Sequence, residues 1–247
     1  MSLTEEALSF LTNNGIEPES RVVFIEEIPY VIDSEGTAHR VDPVAYTAKQ
    51  SLNLNTLSSL VDYIKSELDR KDDRLILTVK DEQTVFLEGQ LEVNGSRERL
   101  AEVNAIVPAF NFDYFYNSEE FNIKLQSIFT DSSDREILLK VVGNISEDSV
   151  KTVGDDGVSQ AVTINQGVAS KVDVKVPNPV TLAPYRTFNE VKQPESKFVF
   201  RMKEGPRCAL FEADGGIWRN KAIQNIKEYF EKALQAEIQS GKITILA

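Results

Sequence analysis

Lys197-Phe-Val-Phe-Arg-Met-Lys203, Cys208-Ala-Leu-Phe211 and Glu212-Ala-Asp-Gly-Gly216 lead in turn to Trp218. Phe198, Phe200 and Met202 alternate with Val199 and Arg201, the period of a strand with one apolar face. Gly205-Pro206 turns the chain, and Cys208–Phe211 returns as a second strand. Beyond the Gly-Gly pair, Trp218, Ala222, Ile226, Tyr229, Phe230, Ala233 and Leu234 form the stripe of an amphipathic helix. An antiparallel pair closed by a long helix sets the fold class as α+β.

The neighbouring sequence reads the same way. Lys151–Val153, Val158–Ile164 and Lys171–Val176 alternate, with a hairpin signal at Asp155-Asp-Gly157 and a bend at Asn165-Gln-Gly167. Lys242–Leu246 supplies a last strand. Upstream, Ser118 starts a helix through Phe129, and the capping-box spacing Ser133-Asp-Arg-Glu136 opens another through Val142. These predict a helical hairpin ending at Gly143-Asn144. Leu57, Leu60, Val61, Ile64 and Leu68 predict a helix over Asn55–Leu68, followed by a solvated charged run, Asp69–Arg74. Strands are expected at Leu75–Val79, Thr84–Leu87 and Leu100–Val107, with turns at Asp81-Glu-Gln83 and Asn94-Gly95. At the start, a helix over Thr4–Asn13 precedes strands at Arg21–Ile25, Tyr30–Ile32 and Thr37–Val41, the first two separated by Pro29. The parts are 1–50, 51–145 and 146–247, the last two able to form one unit. Turns of hairpin length favour antiparallel sheets over a doubly wound parallel sheet.

The chain has 247 residues, 41% of them hydrophobic, enough for a substantial core. Its net charge of −12 repels phosphate backbones, so direct nucleic-acid binding is not expected, although a local basic patch is compatible with that total. The single cysteine, Cys208, reads as a buried structural thiol and fits a reducing cytoplasm. The acidic N-terminus lacks the pattern of a secretory signal, and no apolar run has membrane-spanning length.

Chemistry-bearing patterns are sparse. One histidine, His39, is too few for multi-histidine metal sites and reads as a surface strand residue. No phosphate-binding glycine loop or nucleophile elbow is present, so no catalytic residue and no cofactor is assigned. Glu212 and Asp214 are weak candidates for a divalent cation. Against that, Asp214 stands where the cap of the following helix is needed. Arg186, Arg201, Arg207 and Arg219 form either an anion pocket or ion pairs with Glu190, Glu195, Glu204 and Glu212. At least one of Arg186 and Arg201 is expected to be buried against a carboxylate. Asn111-Phe-Asp-Tyr-Phe-Tyr116 is aromatic enough for a base-stacking platform, but no cation is interleaved, which favours packing on the core.

Arg186-Thr-Phe-Asn-Glu-Val-Lys-Gln-Pro194, Phe198-Val-Phe-Arg201 and Ala209-Leu-Phe-Glu-Ala-Asp-Gly-Gly-Ile-Trp218 together resemble a family of phage and prophage proteins of unknown function that includes the YfdQ prophage protein. Asp155-Asp-Gly-Val-Ser-Gln160, Val176-Pro-Asn-Pro179 and the Ser118-Glu-Glu-Phe helix start fit the same pattern. The resemblance implies a phage origin and a bacterial host cytoplasm, and carries over no site residue. The expectation is a non-enzymatic homo-oligomer, a ring or shell, whose contacts include the Pro177–Pro194 segment and the C-terminal helix. Two alternatives stay open: a protein that binds an anion or nucleotide or counters host defence, an acidic DNA mimic engaging a host protein among its forms; and a carboxylate-metal enzyme at Glu212 and Asp214.

Overall fold

A computed structural model describes residues 22–25, 28–33, 35–41, 47–66, 68–69, 74–92, 95–143, 154–155, 160–166, 170–203, 205 and 207–247. The helix expected at Thr4–Asn13, the strand at Lys151–Val153, most of the Asp69–Arg74 run and Glu204 lie outside the described residues. The chain divides into two compact units: Met1–Lys49 with Gln90–Glu98, and Gln50–Gly89 with Arg99–Ala247.

The first unit holds an antiparallel meander of β1 (Val22–Ile25), β2 (Ile28–Ile32) and β3 (Ala38–Arg40). Pro29 lies inside β2 rather than before it, paired with Phe24. Proline lacks an N–H, but its carbonyl still accepts from Val41 N at 2.8 Å. His39 is an exposed β3 residue whose Nε2 lies 2.7 Å from Asp33 Oδ2. That contact, with the Thr37 N–H, holds the Asp33 carboxyl below its ordinary range.

The second unit contains two larger sheets, each with its own core. The five-stranded sheet joins β4 (Leu52–Leu54), β5 (Leu75–Val79), β6 (Thr84–Leu91), β7 (Arg97–Asn104) and β15 (Ile243–Leu246) in the order β15-β5-β6-β7-β4. Both edge pairings are parallel, β15 on β5 and β4 on β7, so the sheet is mixed and not antiparallel throughout. Parallel neighbours need long crossovers, and local turn signals cannot reveal them. Leu57, Leu60, Val61 and Ile64 of helix α1 (Leu57–Ser66) pack with Leu77, Leu87, Ile226 and Phe230 in the first core. The helix ends before Leu68, which is 74% exposed.

The other sheet has the order β12-β13-β14-β8: β8 (Tyr116–Asn117), β12 (Val180–Leu182), β13 (Ser196–Lys203) and β14 (Arg207–Glu212). Helices α2 (Ser118–Ile128) and α3 (Ser133–Gly143) form the expected hairpin. Phe121, Leu125, Leu138 and Val141 bury one sheet face, against Phe198 and Phe200, in the second core. Both caps stand one residue earlier than the spacing predicts. Asn117 Oδ1 accepts from Glu120 N at 2.8 Å, and Ser132 Oγ accepts from Arg135 N at 3.2 Å. Buried Arg135 ties the hairpin together by donating to the carbonyls of Leu125 and Gln126 at the end of α2.

A smaller antiparallel sheet pairs β9 (Gly154–Asp155) and β11 (Ser170–Lys175) with β10 (Gln160–Gln166). Helices α4 (Ile217–Ala233) and α5 (Gln235–Gln239) then lead back to β15.

Candidate functional site

A cavity of about 290 Å³ opens in the second unit. The β5–β6 turn contributes Glu82 and Gln83, and the chain between β7 and β8 contributes apolar residues from Val107 to Phe112. Arg186 arrives from the segment after β12, Glu212 from the end of β14, and Trp218 and Arg219 from the first turn of α4.

Arg186 is held from its backbone outward. Gln193 Oε1 accepts from Arg186 N at 3.0 Å, while Gln193 Nε2 donates to Phe188 O at 2.9 Å, closing the segment on itself. The guanidinium donates through Nη1 to Glu212 Oε1 at 2.6 Å and through Nη2 to Ser196 Oγ. Its Cζ lies 3.8 Å above the Trp218 ring, a cation–π contact in a desolvated setting. Burial pulls Arg186 down to about 10, against the opposing pull of Glu212 and Asp214, so it is charged at neutral pH. Among the described residues, Arg186 Nε and Trp218 Nε1 are buried without hydrogen-bond partners.

Arg219 lies 4.8 Å from the same indole and donates through Nε to Glu82 Oε1 at 3.2 Å. Two guanidinium groups therefore share one ring, and each meets its own carboxylate. The two guanidinium groups and the two carboxylates balance in charge.

The four arginines do not form a single pocket. Arg186 and Arg219 line the cavity, whereas Arg201 and Arg207 stand at outward positions of β13 and β14. Strand alternation enforces the split, because Phe198, Phe200, Cys208 and Leu210 occupy the inward positions. The expectation for Arg186 holds through Glu212. Glu190 serves a different purpose: its carboxylate accepts from Leu57 N at 2.9 Å and Ser58 N at 2.8 Å, at the start of α1. A carboxylate more than a hundred residues away in the chain thus joins Thr56 in capping this helix. We expect Glu190→Ala to lower the unfolding free energy by about 1–2 kcal/mol, and Glu190→Gln by less, as measured by urea denaturation.

Asp214 is also reassigned. The N-cap of α4 is Gly216, with left-handed φ 81° and no side-chain cap bond. Asp214 Oδ1 instead accepts from Gly216 N at 3.0 Å, closing the turn just before the helix. A Cβ at position 216 would lie 2.7 Å from Arg219 Nη1, the movable end of a half-exposed side chain, so it is the left-handed backbone angle that favours glycine there. Glu212 and Asp214 both face nitrogen donors, and among the described residues no three metal-ligating side chains come together. Cys208 is fully buried, and burial pushes its thiol up to about 12, where it is an inert core group.

The Pro177–Pro194 segment, expected to offer subunit contacts, is largely internal. Val180, Leu182, Phe188 and Val191 are all buried. Among the described residues, no helix is long and apolar enough to cross a membrane. The chain is thus an α+β protein whose candidate site is an internally neutralised ion-pair cavity. No family model, curated protein or solved structure matches it.

Proposed function

We propose that the chain is a non-enzymatic, phage-encoded protein that works in the host cytoplasm as a homo-oligomer, with β1 as a subunit contact. The observation that carries this is the state of β1. Val22, Val23, Phe24 and Ile25 are all exposed, Phe24 at 68%, on an edge strand of the meander. No residue of β1, β2 or β3 is buried, and none belongs to either hydrophobic core. A three-stranded sheet without a core is marginal alone, and a free apolar edge templates pairing with another strand. The same edge on a second copy is self-complementary, as an isologous contact requires. Phage origin is supported by the motifs at Arg186–Pro194 and Ala209–Trp218. The non-enzymatic reading is supported by the engagement of Glu212 and Asp214 within the fold.

Light scattering at micromolar concentration tests the proposal. The expected particle is larger than one chain, and Phe24→Lys with Ile25→Lys shifts it toward the monomer. A monomeric parent refutes assembly, and an oligomer indifferent to both substitutions refutes β1 as its contact.

A further inference from the structure

We propose that the outward face of the β12-β13-β14-β8 sheet binds single-stranded nucleic acid. One face of this sheet is filled by the α2–α3 hairpin; the other carries a different chemistry. Lys197, Arg201 and Lys203 occupy outward positions of β13, and Arg207 one of β14. Lys197, Lys203 and Arg207 are exposed, and Lys203 stands directly across from Arg207 in the strand register. No outward position of these four strands carries a carboxylate, in a chain whose net charge is −12. Lys203 and Arg207 are like charges directly opposite one another, an arrangement that is unfavourable in a sheet and that a bound anion relieves.

The aromatic component comes from the chain beside β8. Phe115, the neighbour of inward-facing Tyr116, is half-buried and belongs to neither core. Its ring lies 6.0 Å from that of Phe211, and Lys203 Nζ sits 4.1 Å over it. The Asn111–Tyr116 window has no cation of its own, but the fold supplies them from β13 and β14. A ring flanked by exposed cations is the combination that stacks unpaired bases while the cations take phosphates. A duplex hides its base faces, and an acidic protein segment has no use for the rings. The overall acidity acts from a distance and is screened within about 8 Å at physiological salt, so local cations dominate at contact.

This inference is independent of assembly through β1. It is tested by fluorescence anisotropy with labelled oligothymidylate. The expected result is binding at low salt that weakens as salt rises, with a log–log slope of about −2 to −3 for three or four phosphate contacts. Lys203→Glu with Arg207→Glu should weaken binding at least about tenfold and flatten the slope by roughly one to one and a half. Phe115→Leu keeps an apolar side chain but removes the ring, and should weaken binding at least about fivefold. No binding by the parent at low salt overturns the proposal, as does equal affinity in the charge-reversed variant. Polyglutamate bound as tightly as the oligonucleotide, and indifferent to Phe115→Leu, would assign the face to an acidic protein instead.

Discussion

Glu212→Ala is expected to lower the unfolding free energy by about 3 kcal/mol, the low end of the range for breaking a buried ion pair. The low end applies because the Glu212 side chain keeps 33% of its surface exposed, whereas that of Arg186 keeps 9%. Truncation leaves a guanidinium stacked on Trp218, with Ser196 as its remaining side-chain hydrogen-bond partner. Replacing both partners, as in Arg186→Met with Glu212→Leu, should be much milder, because it removes the buried charge instead of stranding it. Urea denaturation of the single and double variants measures the coupling. A loss below about 1 kcal/mol in Glu212→Ala would show that the pair behaves as a surface pair and that Arg186 is held by stacking alone. The pH dependence follows from burial. Arg186 falls to about 10 in the folded state, below the ordinary range of a guanidinium. The unfolded chain therefore holds more protons above that pH, and this group's contribution to stability rises with pH there. Between roughly pH 5 and 9 the guanidinium is charged in both states and its contribution is flat.

Residue periodicity foretells the elements far better than their partners. Alternation in Lys197–Lys203 and Cys208–Phe211 matches β13 and β14, since which residues face a core is a local property. The helical stripe from Trp218 matches α4 for the same reason. The parallel edge strands β4 and β15 depend on pairing across long crossovers, which short windows of sequence do not encode. Capping signals are displaced by one residue at α2 and α3, where neighbouring polar residues compete for the same N–H groups. At α4 the two glycines let the backbone enter the left-handed region, which moves the cap from Asp214 to Gly216. The candidate site is legible in part. Burial of Arg186 among aromatics could be inferred from its flanking residues, but Glu82 and Trp218 reach it only through the fold. Glu190 carries no local sign of its role, because the N–H groups it caps lie in α1. The cation cluster on β13 and β14 is legible once the strand phase is known, since every second residue then shares one face.

Phe188→Ala is expected to cost about 3–5 kcal/mol, the usual range for deleting a buried phenylalanine ring. Its position makes the effect more than a cavity term. The segment begins in the second core, where Tyr185 N donates to Ile128 O and Thr130 N donates to Ala183 O, 2.8 and 2.9 Å respectively. Five residues after Ala183 it enters the first core through Phe188, which is 2% exposed, and Val191 follows. Arg186 lies between the two anchors. Phe188 also offers its carbonyl to Gln193, whose Oε1 accepts from Arg186 N, so the ring and the ion pair rest on one short piece of backbone. Losing the ring should therefore loosen Arg186 as well as the first core. Phe188→Ala and Glu212→Ala are then expected to be non-additive, with a coupling of about 0.5–3 kcal/mol. Denaturant unfolding of the two single variants and the double variant provides the measurement. Strict additivity would mean that the two cores are joined elsewhere and that the segment merely passes between them.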